Sequence, residues 1–129
     1  MAIKKFVFLA SKVNLAYNDA AKPQFHSGGK TVLRHIAKAL NLPKGSYDIR
    51  SNLGGIAVSG EVTLHAENLY VQFSQSCLGL DWGFLARSCK GRRDYTGGTN
   101  NWIKWEELLD LPTLIKKLEK IAGKIVVIE

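Results

Sequence analysis

The sequence predicts an α+β fold: one antiparallel sheet of about five to six strands, with two main helices packed on one face, in the order β-α-β-β-β-β-α-β. Three observations carry this expectation. Residues 47–89 break into strand-like segments at hairpin spacing. Two other segments, 30–41 and 101–123, repeat their apolar residues at helical spacing. Short apolar runs, Phe6 to Ala10 and Ile125 to Ile128, close the two ends. A chain of 129 residues with 46% hydrophobic and 22% charged residues suits a single globular domain, 1–129, that buries a core without metal or disulfide staples.

Each element has its own reason. Residues 3–9, IKKFVFL, are rich in strand formers and predict a first strand. Residues 14–29 are polar, contain Pro23 and end in a Gly pair, so they predict a long loop. In 30–41, Val32, Leu33, Ile36, Ala37 and Leu40 mark the buried face of a helix that Asn41 and Pro43 stop. YDIRSN (47–52), IAVSGEVTLH (56–65), LYVQFSQS (69–76) and LDWGFLARSC (80–89) predict four successive strands, with Gly60 as a bend and 66–68 as a turn. NWIKWEELLDLPTLIKKLEKIAG is read as helical, with Asp110 capping a new helix, Pro112 in its first turn and Gly123 ending it. IVVI then predicts a last strand beside the first.

The inner α-β-β-β-α order resembles that of double-stranded-RNA-binding domains. The resemblance is one of element order, and no site residue follows from it.

Composition narrows the function classes. No apolar run approaches the roughly 20 residues that a membrane helix needs. The run at Phe6 to Ala10 is also too short for a secretory signal, so a cytoplasmic protein is expected. Cys77 and Cys89 are too few for a disulfide framework and are expected to stay reduced. His26, His35 and His65 show no metal-ligand spacing with them, so neither metal nor cofactor is expected.

The net charge of +7 is concentrated. Residues 20–47 carry Lys22, Lys30, Arg34, Lys38 and Lys44 and no acid. Residues 87–104 carry Arg87, Lys90, Arg92, Arg93 and Lys104 against Asp94 alone. Concentrated positive charge attracts polyanions, chiefly nucleic acid, and otherwise acidic protein surfaces. Lys30, Arg34 and Lys38 recur every four residues and stack on one helix face. Lys90, Arg92 and Arg93 offer cations from a loop, with Tyr95 and Trp102 as flat surfaces for bases. Trp105 reads as an anchor between helix and sheet. Ser27, Gly28, Gly29 and Lys30, placed just before the first helix, suggest an anion site at a helix start. The nucleotide-binding version of that loop fails, because Gln24 stands where its first glycine belongs. Asp94 reads as a turn former.

The expectation is therefore a small basic protein, monomer or homodimer, that binds nucleic acid without catalysis through both basic segments. Two alternatives stay open. One is a metal-independent ribonuclease using His26, Lys30, Arg92 and Tyr95. The other is a protein-binding inhibitor or adaptor of a mobile genetic element.

Overall fold

The computed structural model describes residues 2–55, 58–75, 83–94 and 98–126. Three helices, α1 (Ala2–Lys12), α2 (Ala21–Ala39) and α3 (Leu111–Val126), surround a run of five strands. The strands are β1 (Asp48–Asn52), β2 (Glu61–His65), β3 (Leu69–Ser74), β4 (Gly83–Ser88) and β5 (Asn101–Lys104). They pair in chain order as one antiparallel meander, β1-β2-β3-β4-β5. The α+β class and the antiparallel sheet are as the sequence predicts.

The sheet has one apolar face. Side chains alternate along a strand, so each register row belongs to one side. Ile49, Leu64, Val71 and Ala86 face one another across four strands, and Val62, Phe73, Phe84 and Ile103 belong to the same side. All three helices pack on that side. Its centre is Trp105, fully buried in a short 3-10 helix (Trp105–Leu109) that follows β5. Its ring lies 5.4 Å from Phe84, 5.7 Å from Phe73, 5.9 Å from Phe6 and 6.4 Å from Phe25, centroid to centroid. One side chain thus joins α1, α2, β3 and β4.

The two ends of the chain differ from the sequence reading. IKKFVFL lies in helix α1, not in a strand. Its strand formers outweighed a helical rhythm that is also present: Ile3, Phe6, Val7 and Ala10 are all buried at i, i+3, i+4 and i+7. The expected loop 14–29 is mostly helix, since α2 starts at Ala21. Asn18 opens it, accepting the N–H groups of Ala20 and Ala21 at 3.2 and 2.9 Å. Pro23 sits in the first turn, where a missing N–H costs nothing. At the far end α2 stops as expected. Asn41 takes φ 58°, and Leu42 N–H donates to Ala37 O while Asn41 N–H donates to Lys38 O.

Residues 101–104 form β5 where a helix was expected, so five strands separate α2 from α3. Asp110 does cap α3: its Oδ1 accepts from Thr113 N–H at 3.5 Å and its Oδ2 from the Thr113 hydroxyl at 2.7 Å. Gly123 does not end that helix, which runs to Val126. The expected last strand therefore begins inside α3, and residues 127 and 128 lie outside the described residues.

A buried glutamine ties α1 to the sheet. Gln75, just past β3, donates from Nε2 to Ala10 O and Val13 O, each at 2.8 Å. Its Oε1 accepts from Leu15 N–H at 3.1 Å. One carbonyl of the last turn of α1 and one just past it thus find a side-chain partner.

Candidate nucleic-acid interface

Among the described residues, the second face of the sheet carries no helix. Its register rows are polar. Arg50, Thr63, Gln72, Leu85 and Trp102 form one row from β1 to β5. Asp48, His65, Tyr70 and Arg87 form the next. Lys104 lies opposite Gly83 on the same side. The outer strands are four strand spacings apart, about 19 Å.

The middle of this face is tied together by its own side chains. Along β3, Tyr70 Oη donates to Gln72 Oε1 at 2.8 Å, and Gln72 Nε2 donates to Ser74 Oγ at 3.1 Å. The Arg87 guanidinium sits 4.5 Å above the Tyr70 ring. The exposed groups are pushed to the two ends.

At the β1 end, the loop after β4 folds back over the sheet. Cys89 N–H donates to Asn68 O, and the Cys89 thiol is free and buried. Burial pushes that thiol up, away from the reactive thiolate. Its expected relation to Cys77 falls outside the described residues. His65 Nε2 donates to Gly91 O at 2.9 Å and holds the loop down. Asp94 behaves as the turn former the sequence suggests. Its carboxylate accepts Lys90 N–H at 3.0 Å, and its own N–H donates to Gly91 O. Gly98 turns the chain back at φ 80°; a Cβ there would lie 2.2 Å from Ser88 O.

Arg92 is the main strap. Its Nε and Nη2 grip both oxygens of Asp48 at 3.3 and 2.8 Å, and Nη1 donates to Gly45 O at 2.9 Å. The Arg92 hydrogen bonds hold the Asp48 carboxyl below the usual carboxylate range, against a smaller opposing effect of desolvation. Arg92 thus fastens loop to strand more than it reaches outward. Arg93 is exposed and makes no ion pair among the described residues. Asp48, Arg50, Arg92 and Arg93 line a recess of about 440 Å³. Three guanidinium groups around one carboxylate leave it positive, and the guanidinium fork suits phosphate oxygens.

At the β5 end stands Trp102, 54% exposed. In a strand its neighbour Ile103 points into the core and Trp102 points away, which separates two tryptophans that sequence spacing had placed on one helix. Trp105 is the anchor expected of it, and Trp102 is open to solvent. Exposed Lys104 lies two residues along the same face.

No protein-family model, curated protein or solved structure matches this chain.

The two basic segments touch where Arg92 Nη1 donates to Gly45 O, but the cations of α2 are not part of that contact. Lys30, Arg34 and Lys38 lie on α2, whose buried face (Phe25, Gly29, Val32, Leu33, Ile36) packs on the apolar side of the sheet. Lys90, Arg92 and Arg93 lie over the other side. The α2 cations and the loop cations therefore form two separate surfaces with the sheet between them. The anion site at Ser27, Gly28, Gly29 and Lys30 is corrected. These residues sit inside α2, so their N–H groups do not form a free helix start. The glycines serve packing instead. A Cβ on Gly28 would lie 3.3 Å from Phe6, and one on Gly29 would lie 3.1 Å from Val62. Tyr95 falls outside the described residues.

The ribonuclease constellation does not assemble either. His26 is buried on the helix side, 4% exposed. Its Nε2 donates to Ser59 O and its Nδ1 pairs with Ser51 Oγ, both at 2.7 Å, and burial favours the neutral ring. Arg92 is across the sheet from it. Among the described residues no cluster of three metal-ligating side chains occurs, and no helix is long and apolar enough to cross a membrane. Arg50 and Lys104 were missed as site residues. The alternation of Asp48, Arg50 and Asn52 around inward-facing Ile49 is the signal that places Arg50 on the open face.

Burial lowers both His26 and His65 below the ordinary histidine value, partly opposed by their carbonyl partners Ser59 and Gly91. The unfolded chain therefore binds protons that the folded imidazoles refuse. Their contribution to stability is present above pH about 6.5 and is lost on acidification. The thermal midpoint should fall between pH 7.5 and pH 5, a range above most carboxylate titration. The fall should be smaller in His26→Gln. A midpoint flat across this range would contradict the neutral, buried assignment.

Proposed function

We propose that the protein binds single-stranded nucleic acid without catalysis, along the sheet face that no described helix covers. The carrying observation is Trp102. It is exposed on the same face, and in the same cross-strand row, as Arg50 of the arginine-lined recess. In this reading a base stacks on the indole, while backbone phosphates meet Arg50, Arg93 and Lys90 at one end and Lys104 at the other. Stacking tolerates any base, so little sequence preference is expected. Arg92 holds the loop in place.

Salt titration of binding to a fluorescent oligonucleotide tests this. Log affinity should fall linearly with log salt, by about 0.7 per phosphate neutralised on a single strand. Arg93→Ala should make the slope shallower by about one contact. Trp102→Ala should weaken binding by about 1–3 kcal/mol with the slope unchanged. No binding to DNA or RNA at low salt would sink the proposal and favour an acidic protein partner for the recess.

A further inference from the structure

We infer that one molecule holds two nucleic-acid strands at once, one on each side, and so bridges them. The inference rests on the reading of the open face given above. It adds a second site on α2, made by Lys30, Arg34 and Lys38.

These three side chains lie on the flank of α2 away from the sheet. Arg34 and Lys38 are exposed and Lys30 is half-buried. Four residues of helix rise about 6 Å, so the cations form a straight row at a step close to that between successive phosphates on an extended strand. Residues 20–47 contain no acid, and none of the three makes an ion pair among the described residues. Like charges at i, i+4 spacing repel, so an anion laid along the row relieves a cost the free helix carries. The row has no exposed aromatic within it, so it holds backbone and not bases.

The two-layer fold makes this surface independent of the other. A helix with its side chains is about 10–12 Å across, and the sheet adds its own thickness. The two cation sets therefore stand roughly 20 Å apart, against a screening length of about 8 Å at physiological salt. A strand on one side hardly repels a strand on the other. A single strand that reached both would have to pass around β1 or over the end of the sheet.

The test uses the full chain and two short oligodeoxythymidylates, one biotinylated on beads and one fluorescent, each too short to wrap the domain. Protein loaded on the beads should capture the fluorescent strand. Lys30→Ala/Arg34→Ala/Lys38→Ala should still bind one strand but lose the capture of the second. Alanine is favourable in a helix, so this variant should fold, as circular dichroism would confirm. A second variant with glutamine at the three positions should behave alike. Single-strand binding by wild type without capture would overturn the inference while leaving the open-face reading intact. Capture undiminished in both variants would also overturn it, since bridging would then come from paired copies of the open face. Failure to bind even one strand would overturn the open-face reading, and bridging with it.

Discussion

Trp105→Ala should bring the protein close to unfolding. Truncating a fully buried aromatic typically costs about 3–5 kcal/mol, from lost apolar transfer plus the cavity left behind. Here the cavity opens between four rings, Phe6, Phe25, Phe73 and Phe84, which sit on four different elements. Those elements cannot collapse inward together, so the upper part of that range is expected. Whole domains have only about 5–15 kcal/mol of stability. Urea denaturation would show the midpoint shift. A loss below about 1 kcal/mol would mean that the centre of the core lies elsewhere.

Gly83→Ala should be nearly as damaging, for a different reason. A Cβ there would lie 2.0 Å from Ile103 O and 2.6 Å from Ile103 C. Both atoms are backbone of the neighbouring strand, so no side chain can rotate aside. Strand β5 must move away from β4, which weakens the pairs Gly83↔Lys104 and Phe84↔Ile103. Overpacking of this kind costs about 1–3 kcal/mol, and more where the backbone must yield. Strand β5 also carries Trp102 and Lys104. Oligonucleotide affinity should therefore drop at temperatures where the variant is still folded. Faster amide exchange at Trp102 and Ile103 would locate the damage. Gly91→Ala is the control, because a Cβ there meets nothing within 4 Å. Equal stability for the two variants would contradict the close approach of β5.

The middle of the fold was legible in the sequence because local rules and tertiary demands agree there. Alternation in LYVQFS, the turn at 66–68 and the bend at Gly60 all specify a meander, and the meander forms. The ends were misread where two rules conflict. In IKKFVFL, β-forming residue types point to a strand, while the spacing of Ile3, Phe6, Val7 and Ala10 points to a helix. Burial of that stripe against Phe25 and Trp105 decides the conflict. Pro23 and Gly28-Gly29 read as loop breakers because their helical uses are not local. A proline is harmless in a first turn, and the glycines make room for Phe6 and Val62, which lie far away in sequence.

The candidate site was half legible. The charge of the loop and the turn chemistry of Asp94 follow from residue type and position. Which side of the sheet each group occupies does not. That depends on register, and register separates α2 from the loop and recruits Arg50 and Lys104 to the loop side. It also shows Arg92 spending its donors on Asp48 and Gly45, which no local pattern in SCKGRRDYTGGTNNW announces.

The most direct test of the open face is the indole N–H spectrum of the tryptophans during titration with a single-stranded oligonucleotide. The Trp102 signal should shift or broaden as sites fill, and the Trp105 signal should stay in place. A saturating titration that leaves Trp102 unmoved would contradict the account.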